Sequence, residues 1–484
     1  MNITMNTLKK LFTKTKIVCT IGPASNSPEI LKTIIVAGMD VARLNFSHGT
    51  HDEHKKNLDA IRSASLAMNE PITILQDLGG PKIRIGTFST PFIELNPGAE
   101  FCICTEPIAG DVHQVSTIYE ALPTDVKAGD KILLDDGKLS LGVERVEGKN
   151  VHCRVMVGGT LSAHKGMNLP GVKISAPSLT DKDKEDVLFG LENDVDYVAL
   201  SFVRRAEDIV LLREFMRTHN PEGRTIPIIA KIEKGEAITN IDEIIKEADA
   251  IMVARGDLGV ELPVEDVPVL QKMIVRKCNE VGKPVIVATQ MLETMITNPT
   301  PTRAEASDVA NAVFDGADAV MLSGETSVGK YPVEAVEMMD RIIRNTEDHS
   351  MQVKPFATDW IPSTHDYDPL ARTACTLAQY LGASTIVTLT HSGTTAMHVA
   401  KFRPSARIIA VTTWDKVMRR LNLICGIRGL IVEDLKSDTD VAFKMIRERL
   451  LADGYVHPGE TIVTIAGLPL FEGHPTNTIK VDKV

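Results

Sequence analysis

A (β/α)₈ barrel, interrupted by an inserted all-β lid domain and followed by a C-terminal α/β open-sheet domain, is the fold class that the sequence predicts. Two observations carry the barrel. Eight apolar, strand-like runs alternate with helical stretches at residues 17–21, 41–46, 72–76, 195–202, 226–230, 251–254, 285–288 and 319–322. Polar residues then cluster where these runs end: Thr20, Arg43 with Asn45, Asp77, Ser201, Lys231 with Glu233, Asp257, Thr289, and Ser323 with Glu325. A barrel of this class keeps its chemistry at the carboxyl ends of its strands. A doubly wound sheet gives the same alternation, but it would not bring eight strand ends around one point.

Each element follows from its local pattern. The first three runs are short and apolar, and each hands over to a polar turn. Between the third and fourth runs the rhythm breaks. From about residue 87 to 170 the chain reads as short β-like segments with turn signals, such as ELNPGAEFCI, LLDDGKLSLGVE and VEGKNVHCRVMVGG. Placed after a barrel strand, such an insertion emerges on the face where the strand ends meet and can close over it. The fifth run breaks into Lys231-Ile232-Glu233, a helical pattern follows at Ile241, Ile244, Ile245 and Ala248, and the sixth run breaks into Arg255-Gly256-Asp257. After about residue 345, a linker-like stretch with His349, Pro355, Pro362 and Asp366 leads to a small α/β unit. Its pattern is helix-like ARTACTLAQYLGA, strand-like TIVTLT, helix-like AMHVAKF, strand-like RIIAVT, a helix over residues 441–451 and strand-like TIVTIAG. The expected domains are 1–86 with 171–346, 87–170, and 347–484.

With 484 residues the chain exceeds a single core, so two or three domains are expected. A formal charge of −11 argues against general attraction to nucleic acid or anionic lipid, while leaving room for a local basic phosphate pocket. The opening MNITMNTLKKLF has no sustained apolar core and no run reaches the length of a membrane helix, so a cytoplasmic protein with no membrane partner is expected. Seven scattered cysteines form no CxxC pair and read as free thiols.

The segment IIAKIEKGEAITNIDEIIKEADAIMVARGDLG, residues 228–259, carries the chemistry. It sets a lysine, two carboxylates and a glycine turn at the ends of two apolar runs. Hard carboxylates such as Glu233 and Asp257 suit Mg²⁺ or Mn²⁺, and Lys231 can neutralise a phosphoryl group lying on that ion. GETSVGK, residues 324–330, fits the start of a P-loop but fails at Tyr331, which stands where a small hydroxyl must reach Mg²⁺. Pro332 then fits a first helical position instead.

CTIGPAS, ARLNFSHG, KIEKGE, MVARGDLG, ATQMLETM, PTRAEASDVANAV and MLSGETS together resemble the pyruvate kinase family, in the family's order and over nearly the whole chain. The resemblance implies a glycolytic phosphotransferase that uses phosphoenolpyruvate and ADP to give pyruvate and ATP. By the same resemblance Glu233 and Asp257 hold Mg²⁺, Lys231 and Arg43 flank the phosphoryl group, the backbone at Gly256 and Asp257 takes the substrate carboxylate, and Thr289 takes part in protonating the enolate through water. Arg84 and Lys165 match nucleotide-contacting residues, with His48 and Asn45 nearby. Asn45, Ser47, Asp77 and the carbonyl of Leu78 match a K⁺ cradle. K⁺-dependent members carry an acid where this chain has Lys82, so the ammonium is expected to replace K⁺.

Thr390, Ser392, Gly393, Thr394 and Thr395 form a loop between a strand and a helix, where hydroxyls and free N–H groups can meet a phosphate. The family uses this loop for a phosphorylated allosteric effector; here His391 stands where some members have lysine. The resemblance also implies a homotetramer. Two other classes stand beside this reading: a Mg²⁺-dependent barrel enzyme such as a 2-oxo acid aldolase, which needs no ADP, and a catalytically silent effector-binding protein.

Overall fold

The structure, a computed structural model, describes residues 13–353, 365–433, 435, 438–470 and 474–484. Pro355 and Pro362 of the linker-like stretch, and the segment MNITMNTLKKLF, lie outside the described residues.

Eight parallel strands close into a barrel: Lys16–Thr20, Val41–Asn45, Thr73–Asp77, Tyr197–Leu200, Ile228–Ile232, Ala250–Ala254, Val285–Ala288 and Ala319–Leu322, numbered here first to eighth in chain order. Sequential strands are neighbours, and the first closes on the eighth. The strands are buried on both faces, which is why they read as continuous apolar runs instead of alternating ones. Their alternation still sorts side chains into two cores. Ile228, Ala230 and Ile232 face the surrounding helices. Val18, Val41, Leu75, Ala199, Ile229, Met252, Ile286 and Met321 fill the barrel interior.

The surrounding helices start where the sequence offers caps. Thr50 with Glu53, Thr180 with Asp183, and Thr302 with Glu305 each form a reciprocal capping box, a device worth about 1 kcal/mol for the cap residue alone. The helix expected over 241–248 is found at Ile241–Glu247, and a short helix, Gly235–Thr239, precedes it with Asn240 between them. Its amide donates to the carbonyls of Arg204 and Glu236.

The insertion has its own apolar core. Its main sheet runs in the order Met167–Asn168, Lys131–Leu134, Leu139–Glu147, Asn150–Val157, Glu100–Cys104, Gln114–Ser116, and Phe92–Leu95 pairs with Gly159–Ser162 in a second, two-stranded sheet.

The C-terminal unit is a five-stranded sheet in the order Ile427–Ile431, Arg407–Thr412, Thr385–Leu389, Thr461–Ala466, Thr478–Lys483, with only the last strand antiparallel. Leu423, just after its helix Asp415–Leu421, is fully buried within the barrel's inner cluster and plugs the end opposite the active face. Around it Asn422 donates to the carbonyls of Asp40 and Pro71, and Arg419 pairs with Asp196 at 2.8 Å. All seven cysteines are free. Among the described residues no helix is long and apolar enough to cross a membrane.

Candidate active site

Period-two alternation decides which side chains enter the barrel mouth. Val18, Val41, Leu75, Ala199 and Ile229 point inward, so the residues two positions on, Thr20, Arg43, Asp77, Ser201 and Lys231, point inward too, one layer nearer the carboxyl ends. Lys231 therefore belongs to the fifth strand itself, one residue beyond where the apolar run stops.

These side chains form one hydrogen-bonded network. Arg43 donates from Nε to Asp77 Oδ2 at 2.6 Å and from Nη1 to Thr20 Oγ1 at 2.9 Å. Lys231 Nζ donates to Ser201 Oγ at 2.7 Å and lies 3.2 Å from Asp77 Oδ1 and 2.9 Å from Glu233 Oε1. Ser201 Oγ in turn donates to the Leu78 carbonyl at 2.7 Å. Glu233 Oε2 accepts the Phe202 N–H at 2.6 Å. Asp77 and Glu233 are each about 1% exposed, so their charges exist only because partners hold them.

The electrostatics follow. Burial pushes the Asp77 carboxyl up, but Lys231 and Arg43 outweigh it and hold the acid below its ordinary range. Burial also works against the Lys231 ammonium, and Asp77 with Glu233 overcomes it, leaving a firmly charged lysine. Glu233 goes the other way: burial and the negative charge of Asp257 raise it, against the pull of Lys231. Glu233 with the negative charge of Asp257 beside it, at the ends of adjacent strands, makes a donor pair that a hard divalent cation would relieve. Among the described residues no cluster of three or more His, Cys, Asp or Glu side chains forms a self-sufficient metal cage. As hard oxygen donors at adjacent strand ends, Glu233 and Asp257 fit Mg²⁺, which takes one or two carboxylates and completes its shell with water and substrate oxygens.

At the seventh strand end the backbone turns sharply. Thr289 and Gln290 both have positive φ, at 72° and 55°, a costly conformation for a β-branched residue that persists only where its surroundings enforce it. Arg255, to which sequence reasoning gave no role, supplies that enforcement. Its Nη2 donates to the Thr289 carbonyl at 2.7 Å while Nη1 is tied to Asp308 at 2.7 Å. Asp308 sits in PTRAEASDVANAV, so the signal was an arginine at one strand end and an acid on the helix of the next unit. Thr289 Oγ1 accepts the Gly256 N–H at 2.7 Å and donates to the Ala288 carbonyl at 2.6 Å. The Gly256 N–H, expected to face a substrate carboxylate, is thus engaged by Thr289 in this structure.

Other predicted residues spread along the mouth and lid. Asn45 Oδ1 accepts the Ser47 N–H at 3.2 Å, and Ser47 and His48 are exposed. The His48 carbonyl bonds the ring of His54. Gly80 donates to the capping acid Asp183, which fixes the loop after Leu78. Lys82 is exposed and forms no ion pair among the described residues; it lines a cleft between lid and barrel together with Asn168, Phe202, Lys234 and Asp257. Arg84 donates to the His164 carbonyl at 3.0 Å, and Lys165 pairs with Asp135 at 2.7 Å. In the C-terminal unit, Thr390 Oγ1 accepts the Gly393 N–H, Ser392 and Thr394 share a 2.8 Å hydroxyl contact, and Thr395 meets Thr476 at 3.0 Å. The His391 ring accepts from Trp414 Nε1 at 3.3 Å. The P-loop look-alike is a helical turn, Gly324–Ser327, whose Glu325 accepts the backbone N–H groups of Leu292 and Ser323.

A closed barrel with a cationic and carboxylate mouth, an inserted lid and a trailing α/β unit defines a barrel phosphotransferase. Family comparison agrees: the model described as pyruvate kinase, barrel domain, matches residues 12–336, and that described as pyruvate kinase, alpha/beta domain, matches residues 368–482. Pyruvate kinase from Clostridium acetobutylicum is 45% identical over 97% of this chain and 99% of its own length. The enzyme from Mycobacterium intracellulare is 46% identical over 97% and 98%. A crystal structure of a pyruvate kinase from Cryptosporidium parvum superposes with a TM-score of 0.90 at 37% identity, covering 99% of this chain and 97% of that one. The chain belongs to the pyruvate kinase family.

Proposed function

We propose that this chain transfers the phosphoryl group of phosphoenolpyruvate to ADP, forming ATP and pyruvate, at the network centred on Lys231. Its placement between Asp77, Glu233 and Ser201 carries the reading: a buried ammonium held by two carboxylates is preorganised for the charge of a phosphoryl group in flight. Glu233 and Asp257 would hold Mg²⁺, which supplies charge neutralisation on phosphoryl and enolate oxygens when bound. Arg43, braced by Asp77 and Thr20, approaches the phosphoryl group from the other side. The bridging P–O bond of phosphoenolpyruvate breaks, a terminal ADP oxygen takes the phosphorus, and the enolate left behind gains a proton at its methylene carbon. Thr289, held at the strand end by Arg255, positions the water that delivers the proton; the hydroxyl alone is too weak an acid. Arg84 and Lys165 orient the ADP phosphates from the lid side.

The finer reading has four parts. K⁺ is not required, because Lys82 brings a fixed ammonium toward the pocket of Asn45, Ser47, Asp77 and Leu78. A phosphorylated metabolite, a sugar monophosphate first among them, activates the enzyme through the loop of Thr390, Ser392, Gly393, Thr394 and Thr395. The working form is a cytoplasmic homotetramer. The chain divides functionally into barrel, lid and regulatory unit at residues 86/87, 170/171 and 346/347. A coupled assay of pyruvate release with and without ADP tests the core of the proposal: release should require ADP, and equal release without it would overturn the assignment.

A further inference from the structure

A second cavity, of about 660 Å³, opens where the lid returns to the barrel, between the strap of residues 173–179 and the helix Ala206–His219. That volume is within the range of small-molecule sites. Its walls carry four cations, Lys173, Lys184, Arg204 and Arg205, against two acids, Asp208 and Glu214. The acids are already committed. Asp208 accepts the backbone N–H groups of Arg204 and Arg205 at 2.9 and 3.3 Å, and Glu214 pairs with Arg217 on its own helix. Arg204 reaches across and donates to the Ile174 carbonyl of the strap at 2.7 Å. Lys184 is shared with an almost fully exposed Asp181, a pair of little strength. Arg204 also lies 3.7 Å from Asp208, whereas Lys173 and Arg205 are exposed and form no ion pair among the described residues. The remaining wall is mostly apolar, with Ile174, Leu211 and Phe215 among its residues, and carries the hydroxyls of Ser175, Ser178 and Thr218.

We propose that this strap cavity is a binding site for a phosphate monoester carrying a flat apolar body. Two cations without an ion pair among the described residues, Lys173 on the strap and Arg205 at the start of the helix, line one cavity and match a dianion better than a carboxylate, and the Leu211 and Phe215 wall takes the apolar part. The ligand bridges lid strap and barrel helix, so its occupancy holds the strap against the barrel.

The probe is naphthyl phosphate, titrated calorimetrically into the full chain, with inorganic phosphate and naphthol as controls and hydrogen exchange to locate it. Saturable binding should protect residues 173–179 and 204–218. The double variant Lys173→Ala/Arg205→Ala should bind at least about tenfold more weakly, and Arg205→Lys should stay within about threefold of wild type. Both positions are exposed, so an unchanged melting temperature is expected and checks the fold. The proposal fails if the double variant binds as tightly as wild type, if inorganic phosphate or naphthol alone binds as tightly as the ester, if protection is confined to the Lys231 cleft or to the Thr390–Thr395 loop, or if no saturable binding is seen.

Discussion

Replacing Lys231 by methionine separates chemistry from metal binding. The ammonium lies 2.9 Å from Glu233 Oε1 and 3.2 Å from Asp77 Oδ1, and both acids are buried. Methionine fills the same volume but removes the charge. In the transition state the loss is that of one preorganised electrostatic contact, about 3–5 kcal/mol, or roughly two to four powers of ten in turnover. In the metal-free protein the substitution strands two buried carboxylates, so the melting temperature should fall. Mn²⁺ should restore much of it, because the cation binds the folded state and replaces the missing positive charge. Affinity for Mn²⁺, followed by electron paramagnetic resonance, should be retained or tightened, since Glu233 loses a competing partner. Turnover within a factor of two of wild type in a coupled pyruvate assay, or loss of Mn²⁺ binding with turnover intact, would refute the reasoning.

Four further outcomes follow from the same geometry. Asp257→Asn should shift the Mg²⁺ activation curve to higher concentration by about tenfold or more; an unchanged curve places the ion elsewhere. Wild-type turnover in tetramethylammonium salts should rise by less than about twofold on adding K⁺ at constant ionic strength, and Lys82→Glu should create a K⁺ requirement or abolish activity; a large K⁺ stimulation of the wild type contradicts the ammonium replacement. Thr394→Glu should abolish activation by a sugar phosphate through like-charge repulsion while leaving basal turnover, and a retained response moves the regulatory site. Burial raises Asp125, but hydrogen bonds from Ser175 and Tyr119 outweigh it and hold the carboxyl below 3.8. Its contribution to stability is therefore present above that value and lost as pH falls through the lower folded one. Asp125→Asn should flatten the acid limb of the melting-temperature profile below about pH 4, and an unaltered limb would show that other groups govern it.

The barrel was legible because parallel strands buried on both faces write themselves as apolar runs, and the interruption after the third showed where the insertion enters. The runs marked strand existence better than strand ends. Thr73–Asp77 and Ile228–Ile232 each extend past the end of the expected run to include a charged residue, because Asp77 and Lys231 neutralise each other inside the mouth. No single segment carries that pairing. The clamp of Arg255 on Thr289 and the plug of Leu423 were hidden for the same reason, since each joins residues far apart in the chain. In the C-terminal unit, Ile427–Ile431 reads IRGLI, where a central glycine weakens the strand pattern. The edge strand Thr478–Lys483 alternates polar and apolar residues along a largely half-buried ribbon. Neither announces itself as core.

The most direct test follows the phosphoryl group itself. Phosphoenolpyruvate labelled in its phosphoryl group is incubated with the protein, Mg²⁺ and ADP, and the products are separated. The account predicts label in ATP in one-to-one proportion with pyruvate formed, in the wild type, and a loss of both by orders of magnitude in Lys231→Met. Label appearing as free phosphate, or pyruvate forming equally without ADP, would contradict it.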